Sequence, residues 1–259
     1  LHNMTVKQGA KYDHPSSVHA IVPFMQFHGI QSDEFVDKIE SFRTFNEFFC
    51  RKIMLDRRPI ADRDDPRTLV SCADCRLIVF QSVEQATQLW IKGRDFSIAR
   101  LLGDRYAKER PQSETPAVLV FRLAPQDYHR FHAPVDGVVG EPHWISGEYY
   151  TVNPMAIRST IDVYGENTRV VIPIYTEHFG TVYAVAIGAM MVASIVLSVD
   201  AGAHIRRGDE LGYFKFGGST VVLILDTARV RLDQDLLVNS ESCVETLVEM
   251  GMRVGRARS

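Results

Sequence analysis

"KFGGSTVVLI" (residues 215–224) places two glycines directly before a Ser-Thr pair, which opens a run of aliphatic residues. Such a run predicts a strand, because β-branched residues are enriched in strands. Gly217 and Gly218 allow a tight turn at the start of that strand. The simplest interpretation of Ser219 is a residue at a turn. A chemical role for its hydroxyl requires partners elsewhere in the chain.

The remaining chain divides into a helical region over residues 1–55 and a β-rich core over residues 56–259, which we interpret as a single domain. Amphipathic helical patterns begin near residue 12, with a stop at Gly29 and a cap at Thr44. A short helix with Asp95 as its cap fits residues 95–104. Strands are predicted near residues 69–72, 76–82, 87–92, 117–123, 136–144, 169–175, 181–189, 191–199 and 219–225. These patterns predict an α+β fold with short N-terminal helices packed on a mainly antiparallel β core.

Net charge and the distribution of apolar residues argue against nucleic-acid binding and against a membrane span. The formal net charge is -3, so nucleic acid is not an expected partner. The longest apolar stretch, residues 181–199, is interrupted by Gly188 and Ser194, and we interpret it as two buried strands and not as a membrane span. Because the chain begins with Leu1, we expect it to be part of a longer protein whose targeting signal or anchor could precede it.

The N-terminal region is rich in phenylalanine, and two interpretations of it stay open. The rings can form a helical layer packed on the core, or a surface that docks on lipid. The residues concerned are Phe24, Phe27, Phe35, Phe42, Phe45, Phe48 and Phe49.

Cys72 and Cys75 form an isolated CxxC motif. Its context, "TLVSCADCRLIVF", has the pattern of strand, bend and strand, in which side chains three positions apart face opposite ways. No second CxxC is present to complete a zinc site. We therefore interpret both cysteines as structural and predict no metal site.

Groups capable of chemistry concentrate at three places. Asp74 lies on the bend in "SCADCR", His129 and His132 lie in "APQDYHRFHAP" (124–134), and Ser219 follows the double glycine. Each has a structural alternative, such as a turn cap or a buried histidine. Together they supply the carboxylate, imidazole and hydroxyl of an activated serine.

The setting of Ser219 limits what it can attack. It is not in the G-x-S-x-G turn between strand and helix that serine hydrolases use, so we disfavour a hydrolase. The alternative target is the carbonyl of Gly218, since a preceding glycine lets the hydroxyl reach that carbon without a Cβ clash. The outcome would be cleavage of the chain.

These residues and their neighbours resemble the phosphatidylserine decarboxylase family from about residue 10 to 255. The order of the motifs makes the resemblance specific, although Cys72 and Cys75 flank Asp74 where the family often has P-A-D-G. The matching segments are "TFNEFFCRKI", "SCADCRLIVF", "IKGRDFSIARLLG", "RLAPQDYHRFHAPVDG", "YTVNPMAI", "IPIYTEHFGTVYAVAIGAMMVASI" and "GDELGYFKFGGST", whose G-G-S-T is the eukaryotic form.

The resemblance implies self-cleavage between Gly218 and Ser219, which leaves residue 219 as a covalent pyruvoyl group, the cofactor. It implies that His132 is the base for that cleavage and that Asp74 orients its ring. It also implies that His129 returns a proton after CO2 leaves, helped by a pKa near neutrality, with Tyr128 positioning it.

The implied reaction converts phosphatidylserine to phosphatidylethanolamine and CO2. A pyruvoyl-dependent decarboxylase of a free aromatic amino acid is the first alternative. A non-catalytic scaffold is the second, because "HAPVDGVVGE" (132–141) and "HIRRGDELGYF" (204–214) resemble barrel-sandwich hairpins. The implied partners are phosphatidylserine, a membrane surface and a second copy of the chain. The implied location is peripheral on an endomembrane (Golgi, endosome or vacuole) or the mitochondrial inner membrane, or cytosolic for a free amino acid.

Overall fold

The computed structural model describes residues 11–93, 96–108, 116–189, 195–217 and 219–258. Within these ranges the helices are short, and the pairs between strands are antiparallel. The predicted α+β class and its mainly antiparallel core are therefore confirmed. No helix in the described ranges is long and apolar enough to cross a bilayer.

The helices concentrate at the N-terminus and on the outside of the β core. 3-10 turns occur at Pro15–Ala20, Ile39–Ser41 and Leu55–Arg57. The α-helices are α1 Ile21–His28, α2 Phe45–Phe49, α3 Val83–Leu89, α4 Ile98–Ala107, α5 Pro154–Ile157, α6 Val163–Glu166 and α7 Gln234–Glu241.

The strands are mostly short, with the longest in the centre of the fold. They are β1 Thr68–Val70, β2 Cys75–Phe80, β3 Ala117–Leu123, β4 Arg130–His132, β5 Gly137–Val139, β6 His143–Ile145, β7 Arg169–Thr176, β8 Gly180–Gly188, β9 Ile195–Leu197, β10 His204–Ile205, β11 Glu210–Phe214, β12 Ser219–Leu225, β13 Val230–Leu232, β14 Thr246–Val248 and β15 Arg253–Ala257.

The main sheet has the order β10-β5-β7-β8-β12-β3-β2-β14, with β6 also paired to β7. The strand predicted from "STVVLI" is β12, and it lies between β8 and β3 near the middle of this sheet. Every residue of β12 is buried. Alternation along the strand gives it two covered faces: Val221 and Leu223 pack in one apolar cluster, and Val222 and Ile224 pack in another.

Two small sheets flank the main one, with the orders β1-β15-β13 and β4-β11-β9. The two segments that resemble barrel-sandwich hairpins connect the main sheet to the β4-β11-β9 sheet. Segment 132–141 runs from β4 to β5, and segment 204–214 runs from β10 to β11. Because β4 pairs with β11 while β5 pairs with β10, both segments fold over from one sheet to the other together.

The N-terminal region covers one side of the core through its phenylalanines. Phe35, Phe42, Phe45, Phe48 and Phe49 are buried in a cluster that also contacts Phe216, just before β12. The interpretation as a packed helical layer is therefore confirmed for these five rings. Phe27 differs, because 85% of its surface is exposed.

Several element boundaries follow the sequence signals. Gly29 ends α1 in the left-handed conformation (φ +67°), which favours glycine. Thr44 caps α2 by accepting a hydrogen bond from the amide of Glu47 at 3.1 Å. Residues 181–199 form β8 and β9, as predicted, with residues 190–194 outside the described ranges.

Other predictions of secondary structure were wrong. Residues 87–92, expected as a strand, instead contain the end of α3 at Leu89, followed by residues 90–92 outside any strand. Helix α3 begins after Ser82, because the Ser82 hydroxyl accepts from the amide of Gln85. Helix α4 is capped by Ser97 and begins at Ile98, whereas the expected cap, Asp95, lies outside the described residues. The strand expected over residues 136–144 is split into β5 and β6.

Candidate active site

Ser219 occupies the first position of β12, paired with Leu123 of β3 and Gly188 of β8. The residue is fully buried, and its Oγ has no hydrogen-bond partner among the described residues. A buried hydroxyl without a partner is costly and uncommon, so its presence requires an explanation. Gly218, on the other side of the predicted cleavage site, lies outside the described residues.

His132 ends β4, and hydrogen bonds fix its ring at both nitrogens. Nδ1 lies 2.8 Å from the carbonyl oxygen of Gly208, and Nε2 lies 3.1 Å from the hydroxyl of Tyr128. Since a carbonyl only accepts, Nδ1 carries the proton and Nε2 is the basic nitrogen. Burial lowers the pKa of His132, so the ring is neutral at pH 7 and able to take up a proton.

His129 lies in the turn before β4 and is fully buried. Its Nδ1 donates to the carbonyl of Asp127 at 2.8 Å, and its ring packs on Phe49 with centroids 3.9 Å apart. Its Nε2 has no partner among the described residues. Burial lowers the pKa of His129 to about 3, so the expectation of a pKa near neutrality was wrong for this uncleaved chain.

Asp74 lies on the loop between β1 and β2, and its carboxylate is bound by other groups. Arg58 donates to it at 2.8–3.1 Å, and the amide of Met250 donates at 2.8 Å. Both ring nitrogens of His132 are bonded elsewhere, so Gly208 and Tyr128 orient the ring, and the orienting contact expected from Asp74 is not seen. The charge of Asp74 still favours a protonated His132.

Tyr128 also differs from the expectation. It was expected to position His129, but its hydroxyl bonds to His132. In the sequence, Tyr128 lies one position before His129 and four positions before His132, in "YHRFH". Nothing in that spacing distinguishes the two histidines as partners.

Strand pairing brings these residues to one region. Glu210 of β11 pairs with His132, and the amide of Phe214 donates to the carbonyl of His129 at 2.9 Å. Strand β11 continues directly through residues 215–217 toward Ser219. On β3, Ser219 pairs with Leu123, the last residue of that strand. The chain then runs through a loop that contains His129 into β4, which ends at His132. Ser219, His129 and His132 therefore lie on neighbouring segments.

The segment before Ser219 is anchored by a residue that the sequence patterns did not identify. Asn46 is buried, and its Oδ1 accepts from the amide of Phe216 at 2.8 Å, while its Nδ2 donates to Asp13 at 3.0 Å. The Phe216 ring packs on Phe49, which also contacts His129. The N-terminal region thus holds both the segment that precedes Ser219 and one of the histidines.

A cavity of about 450 Å³ opens beside this region, within the size range of ligand sites. It lies between the N-terminal region and the core. Its lining includes Arg51, Arg58, Asp74, Gln126, Asp127 and Tyr128. In the described ranges, no three His, Cys, Asp or Glu side chains are placed to hold a metal ion. Cys72 and Cys75 are both buried, and burial raises the pKa of each thiol.

Comparisons with known proteins agree with this arrangement. The family model described as phosphatidylserine decarboxylase matches residues 45–256. Phosphatidylserine decarboxylase proenzyme 3 of Schizosaccharomyces pombe is 52% identical over 99% of this chain and 26% of its own length. Proenzyme 2 of Saccharomyces cerevisiae is 45% identical over 98% of this chain and 22% of its own length.

A bacterial relative is covered more completely. The phosphatidylserine decarboxylase proenzyme of Clostridium kluyveri is 37% identical over 91% of this chain and 78% of its own length. By contrast, the chain spans about a quarter of the length of the two fungal relatives. These matches, together with the buried serine and its neighbouring histidines, establish that the chain belongs to the phosphatidylserine decarboxylase family.

Proposed function

We propose that this chain is the catalytic part of a self-processing enzyme that decarboxylates phosphatidylserine to phosphatidylethanolamine and CO2. The observation that carries the proposal is the buried Oγ of Ser219, which has no partner among the described residues and lies on a segment next to neutral His132. The matched relatives are named proenzymes, which supports a processing step. The site comprises Asp74, His129, His132 and Ser219, with cleavage between Gly218 and Ser219.

Self-cleavage begins with a proton transfer from Ser219 Oγ to Nε2 of His132. Oγ then attacks the carbonyl carbon of Gly218, the C–N bond to residue 219 breaks as the departing amine takes the proton from His132, and an ester replaces the amide. Elimination then removes the α-proton of residue 219 and breaks its bond to the ester oxygen, which releases residues 1–218 with a terminal carboxylate and leaves a carbon–carbon double bond in residue 219. The dehydrated residue 219 then takes up water and releases ammonia, which leaves a ketone at the new terminus.

For Nε2 to accept the serine proton, the Tyr128 hydroxyl must turn away from it. The Nδ1–H bond to Gly208 keeps the ring in place while this happens, and it is strengthened when the ring becomes positive. Asp74 stabilises that positive charge through its own negative charge. The proposed role of Asp74 is therefore electrostatic.

The pyruvoyl group made from residue 219 supplies an electron sink for the carbanion that forms when CO2 leaves. Its site fits this use, because the start of β12 is shielded from water and carries a polar atom that has no partner in the described part of the chain. His129 is proposed to deliver a proton to the substrate carbon. In the uncleaved chain Nε2 of His129 carries no proton, so the ring must first take one up there.

We further propose peripheral binding to a phospholipid membrane, as a homodimer, on an endomembrane or the mitochondrial inner membrane. The exposed ring of Phe27 supports the membrane contact, since it adjoins His28 at the rim of the cavity. Val36 and Leu55 of the N-terminal region are also exposed apolar side chains.

The proposal is tested by measuring CO2 release from carboxyl-labelled phosphatidylserine in vesicles, and from free L-tryptophan and L-serine. Turnover of the phospholipid, abolished by Ser219→Ala, is expected. Turnover of tryptophan alone would support the amino-acid alternative. A cleaved chain that acts on none of the three would support the scaffold.

A further inference from the structure

Arg51 is a buried cation whose side chain lacks the partners that buried cations normally have. Only 4% of its surface is exposed, and Nη2 donates to the carbonyl of Gln126 at 3.3 Å. Among the described residues, Nε and Nη1 have no hydrogen-bond partner, and no carboxylate forms an ion pair with the guanidinium. Buried guanidinium groups are usually paired, so this arrangement indicates an absent anion.

The position of Arg51 is rigidly built. Its guanidinium lies over the ring of Phe35 at 4.8 Å and over that of Phe48 at 5.1 Å. Its backbone carbonyl and that of Cys50 accept from Nε of Arg130, on the same strand as His132. The charge of Arg51 is therefore held in a fixed place relative to β4, the strand that contains His132.

Arg51 lines the 450 Å³ cavity together with Asp74 and Tyr128. Asp74 and Asp127, the less exposed carboxylates of the cavity, and the partly exposed Glu34 are bound by other groups. Arg58 binds Asp74 and also Glu34, and Asp127 accepts from the amide of Ala124 and faces Arg76 at 3.6 Å. Burial lowers the pKa of Arg51 to about 10, which still leaves it charged at neutral pH.

Under the proposed function, on which this inference rests, the substrate has two anionic groups, a carboxylate and a phosphodiester. An arginine on the carboxylate would stabilise the ground state more than the transition state, because negative charge leaves that group as CO2 forms. An arginine on the phosphodiester would hold the headgroup without opposing the reaction. We propose that Arg51 binds the phosphodiester of the substrate from its place in the cavity wall.

The first test measures binding by calorimetry on the full chain carrying Ser219→Ala, which neither cleaves nor turns over. The probes are glycerophosphoserine and glycerophosphoethanolamine, which share the phosphodiester and differ in the carboxylate. Adding Arg51→Met is expected to weaken both by about ten- to a hundredfold, the range for a lost hydrogen bond to a charged group. Arg51→Lys should fall between, because it keeps the charge.

Arg43→Met is the matched control. Arg43 precedes helix α2, which Arg51 follows, and the side chain of Arg43 is 86% exposed. It should leave both affinities unchanged. Three results would overturn the proposal: no binding of either probe to the Ser219→Ala chain, unchanged affinity in Arg51→Met, or weakening of glycerophosphoserine alone. The last result would assign Arg51 to the carboxylate.

The second test measures decarboxylation of dihexanoyl phosphatidylserine by the cleaved enzyme. Arg51→Met is expected to lower kcat/KM by about ten- to a hundredfold while self-cleavage stays complete by mass. An unchanged kcat/KM would contradict the proposal. If the wild-type chain does not decarboxylate phosphatidylserine, the proposed function fails, and the binding test still decides the role of Arg51.

Discussion

At the scale of single residues, burial sets the protonation of both histidines. His129 and His132 are almost completely removed from water, and burial lowers the pKa of each. A neutral His132 suits a base that must accept a proton from Ser219. A neutral His129 fits its surroundings, because burial disfavours the charged form of the ring.

The lowered pKa of His129 predicts a pH dependence of stability. The unfolded ring binds a proton near pH 6.5 and the folded ring only near pH 3. The contribution of His129 to stability is therefore complete above pH 6.5 and is lost as the pH falls below it. In the Ser219→Ala background, His129→Gln should be less stable at pH 7. Between pH 6.5 and 5 the difference in free energy of unfolding between the chains with and without His129→Gln should narrow by about 2 kcal/mol, as measured by urea unfolding. A gap independent of pH would contradict the pKa assignment.

At the scale of elements, helix α2 links the N-terminal region to the segment before Ser219 through Asn46. Asn46→Ala would leave the partly buried amide of Phe216 without its acceptor, which costs about 1 kcal/mol in the free energy of unfolding. We expect it also to slow self-cleavage, because residues 215–217 lose their anchor. Thermal unfolding and the time course of cleavage on denaturing gels measure the two effects.

Thr44→Ala provides the control for Asn46. It removes the cap of the same helix, at a cost of about 1 kcal/mol, without touching residues 215–217. It should lower stability and leave the cleavage rate unchanged. Equal slowing in both variants would show that general destabilisation, and not the Asn46 anchor, controls cleavage.

Elements with strong local signals were predictable from the sequence. Strand β12 follows from its aliphatic run, and the ends of α1 and α2 follow from Gly29 and Thr44. Helix α3 was missed because its apolar residues also fit a short strand, and the Ser82 cap decided the outcome. Local patterns could not supply the bond between His132 and Gly208, since strand pairing across 76 positions creates it.

At the scale of the whole molecule, the fold predicts what cleavage would leave behind. Residues 219–259 begin with β12, whose hydrogen bonds to β8 and β3 run along the strand on both sides. They also include β14, at the end of the main sheet, and two of the three strands of the β1-β15-β13 sheet. Cleavage at Gly218 would therefore leave two chains within one shared core.

Self-cleavage by Ser219 with His132 as base is tested by intact-mass spectrometry under denaturing conditions. We expect two species, residues 1–218 and residues 219–259, with the smaller one lighter by one ammonia than its encoded sequence. Ser219→Ala and His132→Gln should give a single chain of 29.3 kDa, whereas His204→Gln, an exposed control, should cleave normally. A wild-type protein that stays a single 29.3 kDa chain on long incubation, or a His132→Gln variant that cleaves at the wild-type rate, would contradict it.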